Sequence, residues 1–202
     1  MDERKEEIVD TAIRRFKHYG FGKTTMNEIA EDLRITKANL YYYYQDKTAL
    51  IKDVINSVSK NLLKIEEEEV ENFKGDFLGT LFALLEHRAN HMREYYIFYI
   101  NENLEWMKGK ELESIIACIR NKDINVLRRL INKAVKVGVL KVDDIENTCE
   151  VYSDIIKGVG IIHTMKDLIT GIPNKENVDK ILESQKKATK LIFEERLVTK
   201  II

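Results

Sequence analysis

The sequence predicts an all-α protein of about nine helices, with an N-terminal three-helix unit built around a helix-turn-helix and a helical bundle after it. Three observations predict this. The 202 residues contain one proline, Pro173, and nine scattered glycines, so little interrupts a helix. Apolar residues recur at i, i+3 and i+4 along most of the chain, without the alternation of strands. Between Thr24 and Lys47, two short capped segments are separated only by a tight turn, which is the helix-turn-helix pattern.

The first helix is expected from Asp2 to Tyr19. Ile8, Ala12, Phe16 and Tyr19, with Val9 and Ile13 beside them, form its apolar stripe, and Gly20 is a natural stop. Thr25 with Glu28 forms a capping box for the second helix, which shows Met26, Ile29, Ala30 and Leu33 on one face. Arg34-Ile35-Thr36 breaks that pattern. Thr36 caps a third helix, and Ile35 before the cap can staple to Leu40.

On the third helix, Leu40, Tyr43 and Tyr44 fall on the side that faces the first two helices. Ala38 and Tyr42 point away, flanked by Lys37, Asn39 and Tyr41. This outward face combines a cation, an amide, a small residue and two phenols. A major groove accepts a helix, Asn can pair bidentately with adenine there, and Lys and Tyr can bond phosphates. Packing is the plainer role for Tyr44 and, in part, for Tyr43.

At these residues the chain resembles the TetR family of bacterial transcriptional regulators. The resemblance is carried by Ala30, by Ile35-Thr36-Lys37, by Leu40-Tyr41-Tyr42-Tyr43-Tyr44 and by Lys47, all in register. It implies DNA contacts from Thr25, Thr36, Lys37, Ala38, Asn39, Tyr41, Tyr42, Tyr43 and Lys47. Of these, Thr25, Thr36, Tyr42 and Lys47 are expected mainly at phosphates, and Lys37, Asn39 and Tyr41 at base edges or their surroundings. One position departs from the family pattern: Arg34 stands where the turn usually has Gly. If that position needs φ > 0, Arg costs about 1–2 kcal/mol there.

Asp46 can cap a long helix, expected over 46–69, whose apolar side includes Leu50, Ile51, Val54, Val58, Leu62 and Ile65. It divides the chain into a DNA-binding domain, 1–48, and an effector-binding and dimerisation domain, 49–202. The run Glu66 to Glu69 reads as the solvated end of this helix. Bundle helices are then expected from Phe77 to Met92, Tyr95 to Met107, Glu111 to Val137, Asp143 or Asp144 to Thr170, and from Asn174 to Arg196.

Thr148 to Ile169 is apolar over most of its circumference, which predicts neighbours beyond its own domain. The resemblance implies a four-helix bundle with a second copy, with Ile155, Val159, Ile162, Ile181, Ala188 and Ile192 at the dimer interface. Tyr95, Tyr99, Glu102 and Trp106 are spaced i, i+4, i+7, i+11, and a carboxylate within an aromatic stripe suits an aromatic or cationic effector, with His91 nearby. The plainer alternative is an aromatic core stripe with Glu102 at its rim.

Net charge is −1, from 33 basic and 34 acidic residues, but Thr11 to Asn27 carries four cations and no acid. Local cations rather than the overall balance set affinity for DNA. Arg14 and Arg15 are expected as solvated surface charges. Cys118 and Cys149, far apart, read as buried small residues rather than a disulfide or zinc site. No apolar run long enough for a membrane span and no N-terminal signal-like run is present, so a cytoplasmic location is expected. His87 and His91 share a helix face without a third ligand, so no metal is expected, nor any cofactor. No nucleophile triad or phosphate-cradling loop appears, which argues against an enzyme.

The expected partners are a double-stranded DNA operator, a second copy of the chain and an unidentified small-molecule effector, with no membrane. The function expected is a sequence-specific repressor released from its operator by that effector. The rival readings are a helical protein-interaction module that has lost DNA binding, and a DNA-binding regulator without an effector.

Overall fold

The computed structural model describes residues 3–99 and 110–198. Its helices are α1 (Glu3–Lys23), α2 (Met26–Asp32), α3 (Lys37–Tyr43), α4 (Lys47–Glu71), α5 (Phe77–Glu94), α6 (Tyr96–Tyr99), α7 (Lys110–Lys136), α8 (Ile145–Thr170) and α9 (Asn177–Phe193), followed by a 3-10 turn, Glu194–Arg196. Among the described residues the only β pairing is an isolated bridge between Leu140 and Leu197.

Two cores organise these helices. The first gathers Ile8, Ala12, Phe16, Phe21, Ile29, Leu40, Leu50 and Val54 from α1 to α4. The second gathers Val70, Phe77, Leu81, Leu130, Ile131, Tyr152, Val178 and Phe193 from α4, α5, α7, α8 and α9. Helix α4 contributes to both. Its 25 residues, at about 1.5 Å each, span about 37 Å, and the helix runs through both cores.

Polar caps start the helices where the sequence predicts them. Asp46 accepts the Ala49 N–H at 2.8 Å for α4, and Asp144 accepts the Asn147 N–H at 3.0 Å for α8. Asn174 does not cap α9; its side chain accepts the Glu176 N–H in a preceding turn, and the helix proper begins at Asn177. Gly20, at φ 78° and ψ 169°, breaks α1 where the sequence predicts a stop. Its φ lets the chain turn and resume for one more turn, and a Cβ there would lie 3.3 Å from the Ile97 side chain of α6.

Several expectations are corrected. No helix begins at Tyr95, which is the C-cap of α5 with φ −111° and ψ 29° and an N–H bonded to the His91 carbonyl. The cause is local competition. Tyr96 turns inward, its hydroxyl donating to Asp167 at 2.6 Å, while Phe98 packs on Phe21 with ring centroids 4.7 Å apart. Glu66 is not solvated: it is 2% exposed and meets Arg88 of α5. The acidic end of α4 beyond it faces cations of α7, with Glu71 paired to Lys133 at 2.7 Å and to Arg129. Arg15 is likewise committed, to Asp32 at 2.5 Å and Glu28 at 3.3 Å, which ties α1 to α2. Of the cysteines Cys149 is buried, but Cys118 is exposed.

Asp167 anchors a second polar junction. Besides the Tyr96 hydroxyl it accepts the Asn174 N–H at 2.8 Å and the Asn177 amide at 3.1 Å. Burial pushes its pKa up, but these donors outweigh burial and hold it below the usual aspartate value. A depressed folded pKa means stabilisation that is present above the unfolded value and lost as pH falls through the folded one. Tyr96→Phe is therefore expected to lower unfolding stability by about 1.5–3 kcal/mol near neutral pH. The deficit should shrink below about pH 4, where the carboxyl protonates. Urea titrations of both proteins across that range check this.

Candidate nucleic-acid interface and inner cavity

The helix-turn-helix is held by reciprocal local bonds. Thr25 accepts the Glu28 N–H at 3.3 Å, and Glu28 accepts the Thr25 N–H at 2.7 Å, which closes the capping box. The Thr25 N–H, and then the Thr25 hydroxyl, which donates to the Glu28 carboxylate at 2.9 Å, hold the Glu28 pKa below the ordinary range. After α2, the Ile35 N–H bonds to the Ala30 carbonyl and the Arg34 N–H to the Glu31 carbonyl, both at 3.0 Å, the double closure of a Schellman motif. Arg34 occupies the position that normally takes Gly, at φ 54°. The strain anticipated at this residue is present in the backbone.

That strain is measurable. Arg34→Gly relieves about 1–2 kcal/mol of left-handed strain and gives back about half of it as unfolded-chain entropy. The expected result is a net gain of about 0.5–1 kcal/mol, a Tm rise of about 1–4 °C for a chain of this size. Thermal unfolding followed by circular dichroism checks it.

Thr36 accepts the Asn39 N–H at 3.2 Å and sets the entry of α3. Leu40 is fully buried, and Tyr44 is nearly so, its hydroxyl donating to Asp53 at 2.9 Å. Burial, then Asp53, pushes the Tyr44 pKa well above the tyrosine range. With these anchors inward, Lys37, Ala38 and Asn39 are exposed, Tyr41 is 38% exposed and Tyr42 is 84% exposed. The Lys37 ammonium lies 5.7 Å from the Tyr41 ring centroid. Tyr43 is half-buried against the first core and meets Tyr42 edge to face at 5.3 Å. Lys47, at the start of α4, sits 3.5 Å from the Gly22 carbonyl, and burial lowers its pKa. Thr25 and Thr36, the N-caps of α2 and α3, are exposed.

A second feature is an apolar face on α8 and α9 that no other described helix covers. Ile162 is 71% exposed, Ile169 77% and Leu191 87%, with Val151, Ile155 and Met165 also exposed. Val159 and Ala188 are half-buried, and Ile192 is half-buried against the second core. Ile181, expected at a dimer interface, is 4% exposed inside its own protomer and lines the cavity described next. The reason is helix phase. Leu191 is nine residues beyond the buried Leu182, about 180° around the helix, so the outward face of α9 carries Leu191 and not Ile181.

A cavity of about 550 Å³ lies between the two cores. Its walls come from Phe21 of α1, from Val58, Leu62 and Glu66 of α4, and from Arg88, His91 and Met92 of α5. They continue through Tyr95 and Phe98, Lys122 and Asp123 of α7, Lys157, Thr164 and Leu168 of α8, and Ile181 and Gln185 of α9. This volume falls within the range of small-molecule sites. Arg88 bonds Glu66 at 2.5 Å and lies 3.7 Å from Asp123, which Lys157 meets at 3.0 Å. Burial would lower the Arg88 pKa, but Glu66 and Asp123 outweigh it and keep the guanidinium charged.

Of the residues expected at an effector site, His91 and Tyr95 line this cavity, with ring centroids 4.7 Å apart. Burial lowers the His91 pKa and so favours the neutral ring. Tyr99 ends α6, and Glu102 and Trp106 lie outside the described residues. Tyr95 is the C-cap of α5 and precedes α6. The charged wall residues went unnoticed in the sequence. Arg88 carried the one usable signal, since it interrupts the apolar stripe of Leu81, Leu85 and Met92. Among the described residues no cluster of His, Cys, Asp or Glu fits a metal, and no helix is long and apolar enough to cross a membrane.

Residues 8–54 match the family described as bacterial regulatory proteins, tetR family. YhgD, an HTH-type transcriptional regulator of Bacillus subtilis, is 26% identical over 149 residues, 72% of this chain and 76% of YhgD. The crystal structure of a transcriptional regulator from Cytophaga hutchinsonii superposes with a TM-score of 0.84 at 24% identity, covering 98% of this chain and all of that one. A protein from Saccharomonospora viridis, described as a transcriptional regulator and solved in complex with choline, gives a TM-score of 0.74 at 17% identity over 98% of this chain and all of its own. Regulators of this kind bind DNA and are not enzymes. Residues 8–54 thus match the tetR family's helix-turn-helix segment, and over its whole length the protein is similar in fold to bacterial transcriptional regulators.

Proposed function

We propose that the protein is a homodimeric repressor that leaves its operator when a small molecule fills the inner cavity. Residues 1–48 would bind DNA and residues 49–202 would hold the effector and the second copy. The observation that carries this reading is the cavity wall. Phe21 belongs to the first core and also lines the cavity, and α4, which runs through both cores, supplies another wall. A ligand seated there presses on the elements that set the angle of α3. By linkage, whatever free energy the ligand takes from DNA binding, DNA takes from ligand binding.

The exposed apolar residues of α8 and α9 support pairing with a second copy, since such surface, where it is extensive, marks an interface. A two-fold pair would present two α3 helices about 34–36 Å apart, one turn of duplex. That a fold neighbour was solved in complex with choline supports a small-molecule ligand for a protein of this fold. Fluorescence anisotropy with duplex from upstream of the protein's own gene tests the DNA half of the proposal. Saturable binding with a steep salt dependence is expected, and binding no tighter than to unrelated duplex would refute it. Lys47→Ala should reduce the magnitude of the log–log salt slope by about 0.9 per lost phosphate contact, without changing the preferred sequence.

A further inference from the structure

The charges on the cavity wall bear on which ligand fits. Among the described residues two carboxylates reach it, and both are committed: Glu66 to Arg88 at 2.5 Å and Asp123 to Lys157 at 3.0 Å. Arg88 also lies 3.7 Å from Asp123, so the four form one neutral chain linking α4, α5, α7 and α8. The π face of Tyr95 is engaged as well, since the Lys17 ammonium lies 4.9 Å from its ring centroid. Lys122 is different. It lines the cavity next to Asp123 and makes no ion pair with any described residue. The described wall therefore holds three cations against two carboxylates, and most of the rest is aliphatic, from Val58 and Leu62 to Met92 and Leu168.

We infer that the cavity takes an amphipathic anion, a flexible aliphatic chain ending in a carboxylate, with the head at Lys122 and the chain along α4 and α5. The inference rests on the reading of this cavity as the effector site, and it replaces the aromatic or cationic ligand that the sequence suggested. A cation entering here meets described wall groups whose charges sum to net positive. To find a counter-charge among the described groups it must displace Lys157 or Arg88, leaving a cation uncompensated away from water. A carboxylate completes Lys122 through a charge-assisted hydrogen bond and leaves the four-membered chain intact. The aliphatic wall favours a saturated tail through burial alone.

Calorimetric titration of the full chain with dodecanoate, dodecan-1-ol and dodecyltrimethylammonium, each below its micellar concentration, tests this. Dodecanoate is expected to bind at least tenfold more tightly than the ammonium. Shortening the tail should weaken binding about fourfold per methylene. Lys122→Gln should weaken dodecanoate tenfold or more and leave dodecan-1-ol unchanged, while Lys122→Arg restores most of the loss. Lys122 is only half-buried, so circular dichroism should show all three proteins equally folded. Tighter binding of the ammonium, or an unaltered dodecanoate affinity in Lys122→Gln, overturns the inference. Equal binding of dodecanoate and dodecan-1-ol also overturns it while leaving the cavity a ligand site. If none of the three binds, the cavity reading falls with it.

Discussion

Ile162→Glu combined with Leu191→Glu is expected to yield a folded monomer that has lost operator binding by a factor of a hundred or more. Both side chains lie in solvent within one protomer, at 71% and 87% exposure, so a carboxylate at either site disturbs no core contact of the isolated chain. In a two-fold pair the same substitutions place like charges in an apolar contact, where desolvation and repulsion together cost several kcal/mol. The loss at DNA follows because each protomer offers only one α3. Separating the pair removes the gain of joining two half-site contacts in one molecule. Light scattering reports the mass, and anisotropy on the operator reports the affinity. A variant that remains dimeric places the interface elsewhere.

Asn39→Ala is expected to have the second large effect, on which sequence is bound as well as on how tightly. Asn39 is exposed near the start of α3, and its backbone N–H is fixed by Thr36, so the side chain leaves the domain in a defined direction. A bidentate contact to a base is worth about 1–3 kcal/mol of discrimination. In a dimer it is made twice, so the substitution should weaken operator binding by about 2–6 kcal/mol. Binding to unrelated duplex should hardly change, because it depends on phosphate contacts. Competition anisotropy against operator variants mutated one base pair at a time reads both quantities. A uniform loss on all sequences would assign Asn39 to the backbone instead.

The parts of the fold that were legible in the sequence are those decided locally. Thr25 with Glu28, Thr36 and Asp46 are caps whose partners lie three residues away, so the boundaries of α2, α3 and α4 follow from short-range chemistry. The strained Arg34 was legible for the same reason, since its left-handed φ is set by the turn that follows α2. What escaped was decided at a distance. Glu66 looks like part of a solvated acidic run until Arg88, 22 residues on, is seen beside it. Tyr95 fits a helical stripe until Tyr96, one residue later, is drawn inward by Asp167, 71 residues away. On α9, Ile181 and Leu191 have similar side chains, and only the phase set by packing against the second core sends one inward and the other outward.

The central claim is that the outward face of α3, with Lys37, Asn39, Tyr41 and Tyr42, enters duplex DNA twice in one paired molecule. Hydroxyl-radical footprinting on the operator measures this most directly. The account predicts two protected patches on one face of the duplex, about 10 base pairs or a whole multiple of a helical turn apart, both lost together in Asn39→Ala. A single patch, or two patches on opposite faces, would contradict it.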